Sequence, residues 1–492
     1  MLKHNEVLEE ILKEVDKHPE IMSRREAFRY LTLSPVAASM LASTALGSTE
    51  LQASDAKGKI LIVGGGLAGI STAARLQNRL NNPDITIIEP DPLSASYQAG
   101  LTLVGAGIWN IDEVKYKRDA KIPDGVKLIK GSATSFDPKN NSLTVDNKEK
   151  VPYDQLIIAT GLVLNYASIK GLDGEITSSS KNIEALKNSG MTKNGLHSSY
   201  FQEGAIATWD GIQELIQKAK SHKSSTKLKA IFTHPNTPIK CSAGSKNIMY
   251  LTHSRLVEAG VRDKVEMIFS TNGTKMLVIA EYHDAIVKQF KARNFTYNYK
   301  HNLIKIDAKN KVAMFDKLVE TQGTYDENLQ EYATVATHER IEVPYDFMHV
   351  TPPMKAHDAI GSSPLGSPNG WVPVNQETMQ HLKFDNVWSL GDAAAIKFAK
   401  TGGSIRKQYK VLVDNIIAQM EEKNKLPAKY NGYTVCPFIT DIGKVMLAEF
   451  DWNMKPISIL PLDPTKERWI WWLMKIHLLK PLTMTGMMRG YA

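Results

Sequence analysis

The sequence predicts an α/β fold with two Rossmann-like domains, the first of them split in sequence, followed by a C-terminal region. Its 492 residues are enough for two to four domains of ordinary size. With 42% hydrophobic and 23% charged residues, the composition is that of a folded globular chain. The third observation is a glycine-rich turn, residues 64–69, between an apolar β-prone run and a helical stretch.

This turn has the spacing of a nucleotide-binding fingerprint. Its members are Gly64, Gly65, Gly66, Leu67, Ala68 and Gly69. Gly64 and Gly66 would let the backbone turn and approach a pyrophosphate, while Gly69 would let the helix pack on the strand. The phosphates would bind at the helix N-terminus, where N–H groups and the helix dipole favour anions.

An acidic residue ends the next apolar run. Glu89 lies roughly 20 residues beyond the fingerprint, where dinucleotide-binding domains place the acceptor for the ribose hydroxyls. Its negative charge would repel a 2′-phosphate. The pattern therefore predicts an adenine dinucleotide without that phosphate, either FAD or NAD.

Two later segments favour FAD. One apolar run ends with Thr160 and Gly161 and is similar to a strand end of flavoproteins with two dinucleotide-binding domains. Another ends with Gly391 and Asp392 and resembles the late motif of those proteins, whose Asp holds the ribityl chain of FAD. No second glycine fingerprint follows in the middle of the sequence, so a nicotinamide is not expected to be the electron donor.

The sequence contains two cysteines, Cys241 and Cys436, which lie far apart. This excludes a disulfide-rich secreted scaffold, a local metal knuckle and a C-x-x-C redox pair. Considered without their contexts, both residues read as small buried hydrophobes, the usual fate of an unpaired cysteine.

When the residues around each cysteine are also considered, the chain resembles the sulfide:quinone oxidoreductases, and in particular the mitochondrial type. The similar stretches are 103–107, 235–241, 350–354, 391–392, 432–437, 447–451 and 466–468. The resemblance implies an FAD enzyme that oxidises hydrogen sulfide, delivers the sulfur to an acceptor and passes electrons to a membrane quinone. It implies that Cys241 is the flavin-side thiol and Cys436 the persulfide carrier. Lys240 would favour the thiolate, because a nearby cation lowers a thiol pKa.

Two segments depart from the family pattern. Around Gln98, which the resemblance places near the flavin, the usual Gln-Pro and Trp are missing. Lys400 would lie near the pyrimidine end of FAD, where positive charge stabilises the reduced form. After it, Gly402 and Gly403 replace an alanine-rich helix start, and each is expected to weaken the helix by about 1 kcal/mol relative to Ala.

The N-terminal residues are typical of a twin-arginine export signal. Arg24, Arg25 and Phe28 precede a weakly apolar stretch, residues 31–47, that is too short and polar to span a bilayer. This predicts a peripheral protein of the inner (cytoplasmic) membrane, on its periplasmic face after export. The alternative is an amphipathic helix and a linker that stay in the cytoplasm.

The C-terminal residues are typical of a membrane-interface helix. Four of the eight tryptophans lie beyond residue 451, and Lys475 and Lys480 interrupt the apolar segment 469–488. Aromatic rings at headgroup depth and lysines facing phosphates would suit the interface. The alternative is that these residues cover a core or a dimer contact. The formal net charge of +8 suits an anionic membrane, whereas the scattered basic residues do not indicate nucleic-acid binding.

The predicted domains follow from these segments. They are a signal and linker (1–57), an FAD-binding domain (58–182 with 358–424), a second Rossmann-like domain carrying Cys241 (183–357) and a C-terminal region carrying Cys436 (425–492). The sequence leaves open whether the protein forms a homo-oligomer. It also leaves open three alternative functions: the flavin subunit of a periplasmic sulfide dehydrogenase that reduces a cytochrome, a non-catalytic FAD-fold sulfur-binding protein, and a type II NADH dehydrogenase. The first of these carries its flavin on an early cysteine, and no cysteine precedes residue 241.

Overall fold

The computed structural model describes residues 4–33, 53–176, 183–235, 237–326, 331–457 and 462–492. The chain forms two compact units. The first consists of Met1–Tyr97, Lys115–Val163 and Lys355–Ala492, and the second of Gln98–Val114 and Leu164–Met354. The domain limits given above stay a prediction, because compactness alone does not define a nucleotide-binding domain.

The main sheet of the first unit is parallel. In spatial order it contains the strands Val387–Ser389, Gln155–Ile158, Lys59–Val63, Asp84–Ile88 and Lys127–Ile129. Its central strands are mostly buried, which explains their continuous apolar sequences. Because the carboxyl ends of parallel strands share one edge, Gly64, Glu89, Thr160 and Gly391 gather there.

The second unit has a parallel sheet of its own. In spatial order it contains the strands Leu196–His197, Phe347–His349, Leu228–His234, Val265–Thr271 and Thr296–Asn298. Its longer helices are Gln202–Ser221, Gly244–Glu258 and Ala280–Ala292. Both units therefore contain a parallel Rossmann-like core, and the predicted α/β fold class is confirmed.

Smaller elements complete the units. The first also contains the strands Ala95–Ser96, Lys115–Tyr116, Ala133–Asp137, Ser142–Val145, Glu149–Pro152, Thr434–Asp441 and Lys444–Phe450 and the helices His4–Asp16, Arg24–Leu33, Leu67–Arg79, Asp358–Gly361, Gly402–Met420 and Trp469–Leu473. The second also contains the strands Glu175–Ile176, His301–Asp307, Val312–Asp326 and Glu331–Pro344 and the helices Leu101–Val104 and Ile183–Asn188. The strands Val163–Asn165 and Met354–Lys355 contribute residues to both.

The two ends of the chain are helical. From Trp469 the backbone stays helical to Arg489, with wider π-type turns at Met474–Leu478 and Leu482–Gly486. Arg24 and Arg25 lie in the first turn of a helix, whereas residues 34–47 of the predicted export signal lie outside the described residues. Within the described ranges, no helix is both long and apolar enough to cross a membrane.

Candidate functional site

The structure explains in different ways why glycine occurs at the fingerprint positions. Gly64 has a φ of 111°, and a Cβ there would stand 2.4 Å from the carbonyl oxygen of Ala159. A Cβ on Gly69 would stand 1.9 Å from the carbonyl oxygen of Gly64, so only glycine lets the helix approach the strand this closely. A Cβ on Gly66, the N-cap residue of helix Leu67–Arg79, would meet no described atom within 4 Å. The helix N-terminus at Gly66 is therefore open to a phosphate-bearing ligand.

Glu89 is buried beside this turn. Its Oε2 accepts a hydrogen bond from Gly65 N at 2.8 Å, and its Oε1 accepts one from Asp91 N at 2.9 Å. Arg118 Nη1 lies 3.3 Å from the same Oε1, and the two side chains are only 5% and 3% exposed. A carboxylate has about four acceptor positions, so Glu89 keeps capacity for a ribose hydroxyl while Arg118 compensates its buried charge. No sequence motif identified Arg118, which approaches Glu89 only through the fold.

The neighbouring strand ends supply polar groups and space. Thr160 Oγ1 is buried and has no hydrogen-bond partner among the described residues. A Cβ on Gly161, whose φ is 71°, would likewise meet nothing within 4 Å. Gly391 N donates to Gln408 Oε1 at 2.9 Å and fixes the turn that carries Asp392. Open glycines, an unsatisfied buried hydroxyl and a helix N-terminus at one sheet edge fit FAD.

Lys400 donates hydrogen bonds to the backbone of the turn that carries Asp392. Its Nζ donates to the carbonyl oxygens of Asp392 at 2.5 Å and Ala394 at 3.0 Å, and it lies 4.0 Å from the centre of the Trp371 ring. The side chain is buried, and burial lowers the pKa of Lys400 to about 8. No sequence motif marks Trp371, because its contact with Lys400 is set by tertiary packing.

Replacing Lys400 by Met is expected to change how stability varies with pH. Because the folded-state pKa is about 8 and the ordinary value is 10.5, the unfolded chain binds more protons between these values, and wild-type stability rises with pH there. The variant lacks this increment. The difference in unfolding free energy, wild type minus Lys400→Met, should therefore increase by about 3 kcal/mol from pH 8 to 10.5. Urea denaturation at several pH values measures it, and a constant difference would contradict the burial of this ammonium group.

Close packing explains why one of the glycines after Lys400 is needed. The helix begins at Gly402, and the Thr401 side chain caps it by accepting from Ser404 N at 3.1 Å. A Cβ on Gly403 would stand 2.0 Å from Cγ1 of Val435, the residue before Cys436. Glycine at this position therefore lets the first turn of the helix approach the strand that carries Cys436. Helix propensity alone takes no account of this contact.

Alanine at these two glycines is expected to have opposite effects. Gly403→Ala should lower the free energy of unfolding by about 1–3 kcal/mol, because the methyl group overlaps Val435. Gly402→Ala should raise the free energy of unfolding by about 0.5–1 kcal/mol. Its Cβ would stand 3.7 Å from Leu67, which is an ordinary contact, and alanine has a higher helix propensity than glycine. Chemical denaturation measures both, and equal stabilities would show that the helix start has no close contact.

Cys241 lies in the second unit, in a strained turn before helix Gly244–Glu258. Its φ of 52° is left-handed, which is uncommon for a residue other than glycine and is frequent at functional sites. Lys240 Nζ donates to Gln98 Oε1 at 3.0 Å, and Gln98 Nε2 donates to the carbonyl oxygen of Tyr200 at 3.3 Å. Gln98, predicted to contact the cofactor, thus also positions the residue before Cys241.

A second lysine stands behind the same turn. Lys246 is 1% exposed, and its Nζ donates to the carbonyl oxygen of Ser242 at 3.2 Å and lies 5.0 Å from the centre of the Phe269 ring. Its position in the first turn of the helix, five residues after the cysteine, is the signal that would have identified it. Lys246 thus braces the backbone of the turn that carries Cys241.

Cys436 lies in the first unit, on a two-stranded hairpin. It pairs with Ala448 in the ladder of Thr434–Asp441 with Lys444–Phe450. Tyr433 OH donates to Glu449 Oε1 and ties the two strands together, and burial raises the pKa of Glu449. Both cysteines are present as thiols, with Cys436 buried and Cys241 half-buried.

Known proteins resemble this chain in sequence and in fold. Residues 58–195 match the family described as pyridine nucleotide-disulphide oxidoreductase. The chain is 32% identical to the mitochondrial sulfide:quinone oxidoreductase of Mus musculus, over 88% of this chain and 87% of the relative. It is 34% identical to that of Dictyostelium discoideum, over 88% and 86%. The solved sulfide:quinone oxidoreductase of Aquifex aeolicus, 18% identical, shares the fold with a TM-score of 0.67, over 88% of this chain and 92% of that one.

These relatives correct the predicted location. Both curated relatives are mitochondrial, which contradicts a periplasmic location after twin-arginine export. The structure gives a physical reason why the pattern misled. Ser23 N donates to Glu26 Oε2 at 3.0 Å and Glu26 N to Ser23 Oγ at 3.3 Å, so these residues and the arginines between them form a helix-capping box.

The relatives also decide among the functions left open, since neither the cytochrome-reducing, the NADH-oxidising nor the non-catalytic alternative is favoured by them. Identities above 30% over nearly nine tenths of both chains are enough to assign a family. The chain belongs to the sulfide:quinone oxidoreductase family, whose members are FAD-dependent oxidoreductases.

Proposed function

We propose that the chain oxidises hydrogen sulfide at Cys241 and Cys436 and passes the electrons through FAD to a quinone. The single observation that carries the residue assignment is the Cys241 turn. A left-handed cysteine backbone lies there in a turn that also carries Lys240, whose ammonium group is fixed by Gln98, and to which the buried Lys246 donates at Ser242. Structural cysteines buried as small hydrophobes do not need such a strained and positively charged setting.

The sulfur chemistry follows from thiol–disulfide exchange. In the oxidised state, in which the two cysteines are joined, hydrosulfide attacks the Cys436 sulfur and the S–S bond breaks. Cys436 then carries the added sulfur as a persulfide, and Cys241 leaves as a thiolate. An acceptor takes the outer sulfur as sulfane sulfur. This transfer leaves Cys436 as a thiol, and the S–S bond with Cys241 re-forms as the pair gives up two electrons. Over the whole cycle, each hydrogen sulfide oxidised therefore releases two electrons and two protons.

The charges around Cys241 suit the thiolate. The N-terminus of helix Gly244–Glu258 adds its partial positive charge to those of Lys240 and Lys246. When bound, FAD would supply the two-electron acceptor for the Cys241 and Cys436 thiols as their disulfide re-forms, and a donor for the quinone. The residues proposed to hold it are Gly64, Gly66, Leu67, Ala68, Gly69, Glu89, Gln98, Thr160, Gly161, Gly391, Asp392 and Lys400.

The C-terminal segment, Trp469–Arg489, is proposed to meet the membrane in which the quinone dissolves. Its tryptophans and methionines flank a stretch that contains Lys475 and Lys480, and this mixture suits a lipid interface and its phosphates. The net charge of +8 favours an anionic surface.

An anaerobic sulfide titration of the FAD-loaded protein tests the proposal. Sulfide should bleach the flavin absorbance, and a soluble short-chain quinone should restore it, with one sulfane sulfur formed for each quinone reduced. NADH in place of sulfide should leave the spectrum unchanged. An oxidised spectrum that persists with excess sulfide would instead support a non-catalytic sulfur-binding protein.

A further inference from the structure

The two ends of the chain pack on each other within the first unit. Residues 4–33, here called the N-terminal helix pair, contain the helices His4–Asp16 and Arg24–Leu33. The first of these helices lies against the turn Met474–Leu478 of the C-terminal segment. The helix pair therefore covers part of the surface that is proposed above to meet the membrane.

The first helix of the pair carries a buried apolar stripe. Ile11 and Val15 lie one helical turn apart on the same face, and they are 0% and 1% exposed. Ala27 of the second helix is equally buried, whereas Ile21, in the turn between the helices, is 51% exposed. A helix of 13 residues is marginal by itself in water, so this burial is what stabilises it.

The ion pair across the contact is weak. Glu10 Oε2 lies 3.8 Å from His477 Nδ1, with side chains 50% and 26% exposed, and exposed pairs of this kind contribute little. The rings of His18 and Trp469 meet edge to face at 5.4 Å. The contact thus depends mainly on apolar burial, which another apolar surface can replace.

The covered part of the C-terminal segment has the chemistry of a lipid contact. Met474 and Leu478 are buried there, and so is Lys475 between them. At a membrane interface a lysine extends its ammonium group toward the phosphates. The wider helical turn at these residues is a type that occurs frequently at functional sites.

We propose that the N-terminal helix pair is an intramolecular cover of the C-terminal segment and that a lipid surface competes with it for that segment. The inference rests on the membrane role of this segment in the proposed function. In the covered state Ile11 and Val15 occupy the apolar face. In the lipid-bound state acyl chains replace them and Lys475 reaches the headgroups. The free energy of uncovering is subtracted from that of lipid binding, so the full chain binds membranes more weakly than an uncovered one.

A matched pair of substitutions tests the cover. Ile11→Glu places a charge in the apolar stripe, while Ile21→Glu makes the same chemical change at an exposed position of the same helix pair. Binding to phosphatidylcholine vesicles containing phosphatidylglycerol is measured by co-sedimentation. Ile11→Glu should bind at least about fivefold more tightly than wild type, and Ile21→Glu should bind as wild type does. Deletion of residues 2–33 should reproduce the Ile11→Glu result.

The same samples are assayed for FAD content and for sulfide oxidation with a soluble quinone, which neither substitution should change. Equal vesicle binding by wild type, Ile11→Glu and the deletion variant would overturn the cover. If the deletion variant binds no vesicles although its soluble-quinone activity is intact, the cover falls together with its membrane premise, and sulfide oxidation stands. Absent sulfide oxidation in the wild type would instead be a failure of the proposed function.

Discussion

Replacing either cysteine by serine should reduce sulfide-dependent quinone reduction by about a thousandfold or more. Serine cannot form the disulfide that hydrosulfide attacks. Its hydroxyl group cannot carry a persulfide, and it does not ionise at neutral pH as a thiol can. Cys436→Ser removes the carrier, whereas Cys241→Ser removes the thiol that passes electrons onward. Initial rates with sulfide and a soluble quinone, measured on protein normalised by flavin absorbance, give the effect directly.

Flavin content separates a chemical effect from a structural one. Neither cysteine belongs to the open turns at Gly66 and Gly161, so both variants should bind FAD as the wild type does. Ser242→Ala is the matched control, because it alters a side chain next to Cys241 and leaves the carbonyl group that accepts from Lys246. More than a tenth of the wild-type rate in a flavin-loaded cysteine variant would exclude that cysteine from the relay.

Features encoded in one short stretch of sequence could be predicted. The fingerprint 64–69 and Glu89 follow successive strands of one sheet, so their spacing already implies a shared edge. Arg118 and Trp371 could not be found in this way, because they belong to no motif and reach Glu89 and Lys400 only through tertiary packing. The reason for Gly403 likewise lies at Val435, on a strand much later in the sequence.

The N-terminus shows how one pattern can have two meanings. Paired arginines before a weakly apolar stretch indicate export, yet Ser23 and Glu26 around them have the spacing of a capping box. The second pattern predicts a helix, and this helix is present, with Ala27 buried and the first helix as a packing partner. The two patterns overlap because the paired arginines lie between the Ser and the Glu of the capping box.

Alanine at two glycines of the fingerprint should separate cofactor binding from folding. Gly66→Ala adds a methyl group that meets no described protein atom, so it can collide only with the bound pyrophosphate. It should weaken FAD binding by about tenfold to a hundredfold, the equivalent of overpacking by 1–3 kcal/mol. Gly69→Ala places a methyl group 1.9 Å from the carbonyl oxygen of Gly64, a clash of about 3 kcal/mol or more within the protein itself.

Added FAD distinguishes the two defects. A ligand that binds the native state stabilises it by RT ln(1 + [FAD]/Kd), so a higher Kd costs nothing in the apoprotein and opens a gap to the wild type as FAD is added. The melting temperature of FAD-free Gly66→Ala should therefore match that of the FAD-free wild type and fall behind it as FAD is raised, whereas Gly69→Ala should already melt below the wild type without FAD. If both FAD-free variants melt with the wild type, the Leu67–Arg79 helix can move away from the strand at no cost. Gly69 would then act on the cofactor rather than on helix packing.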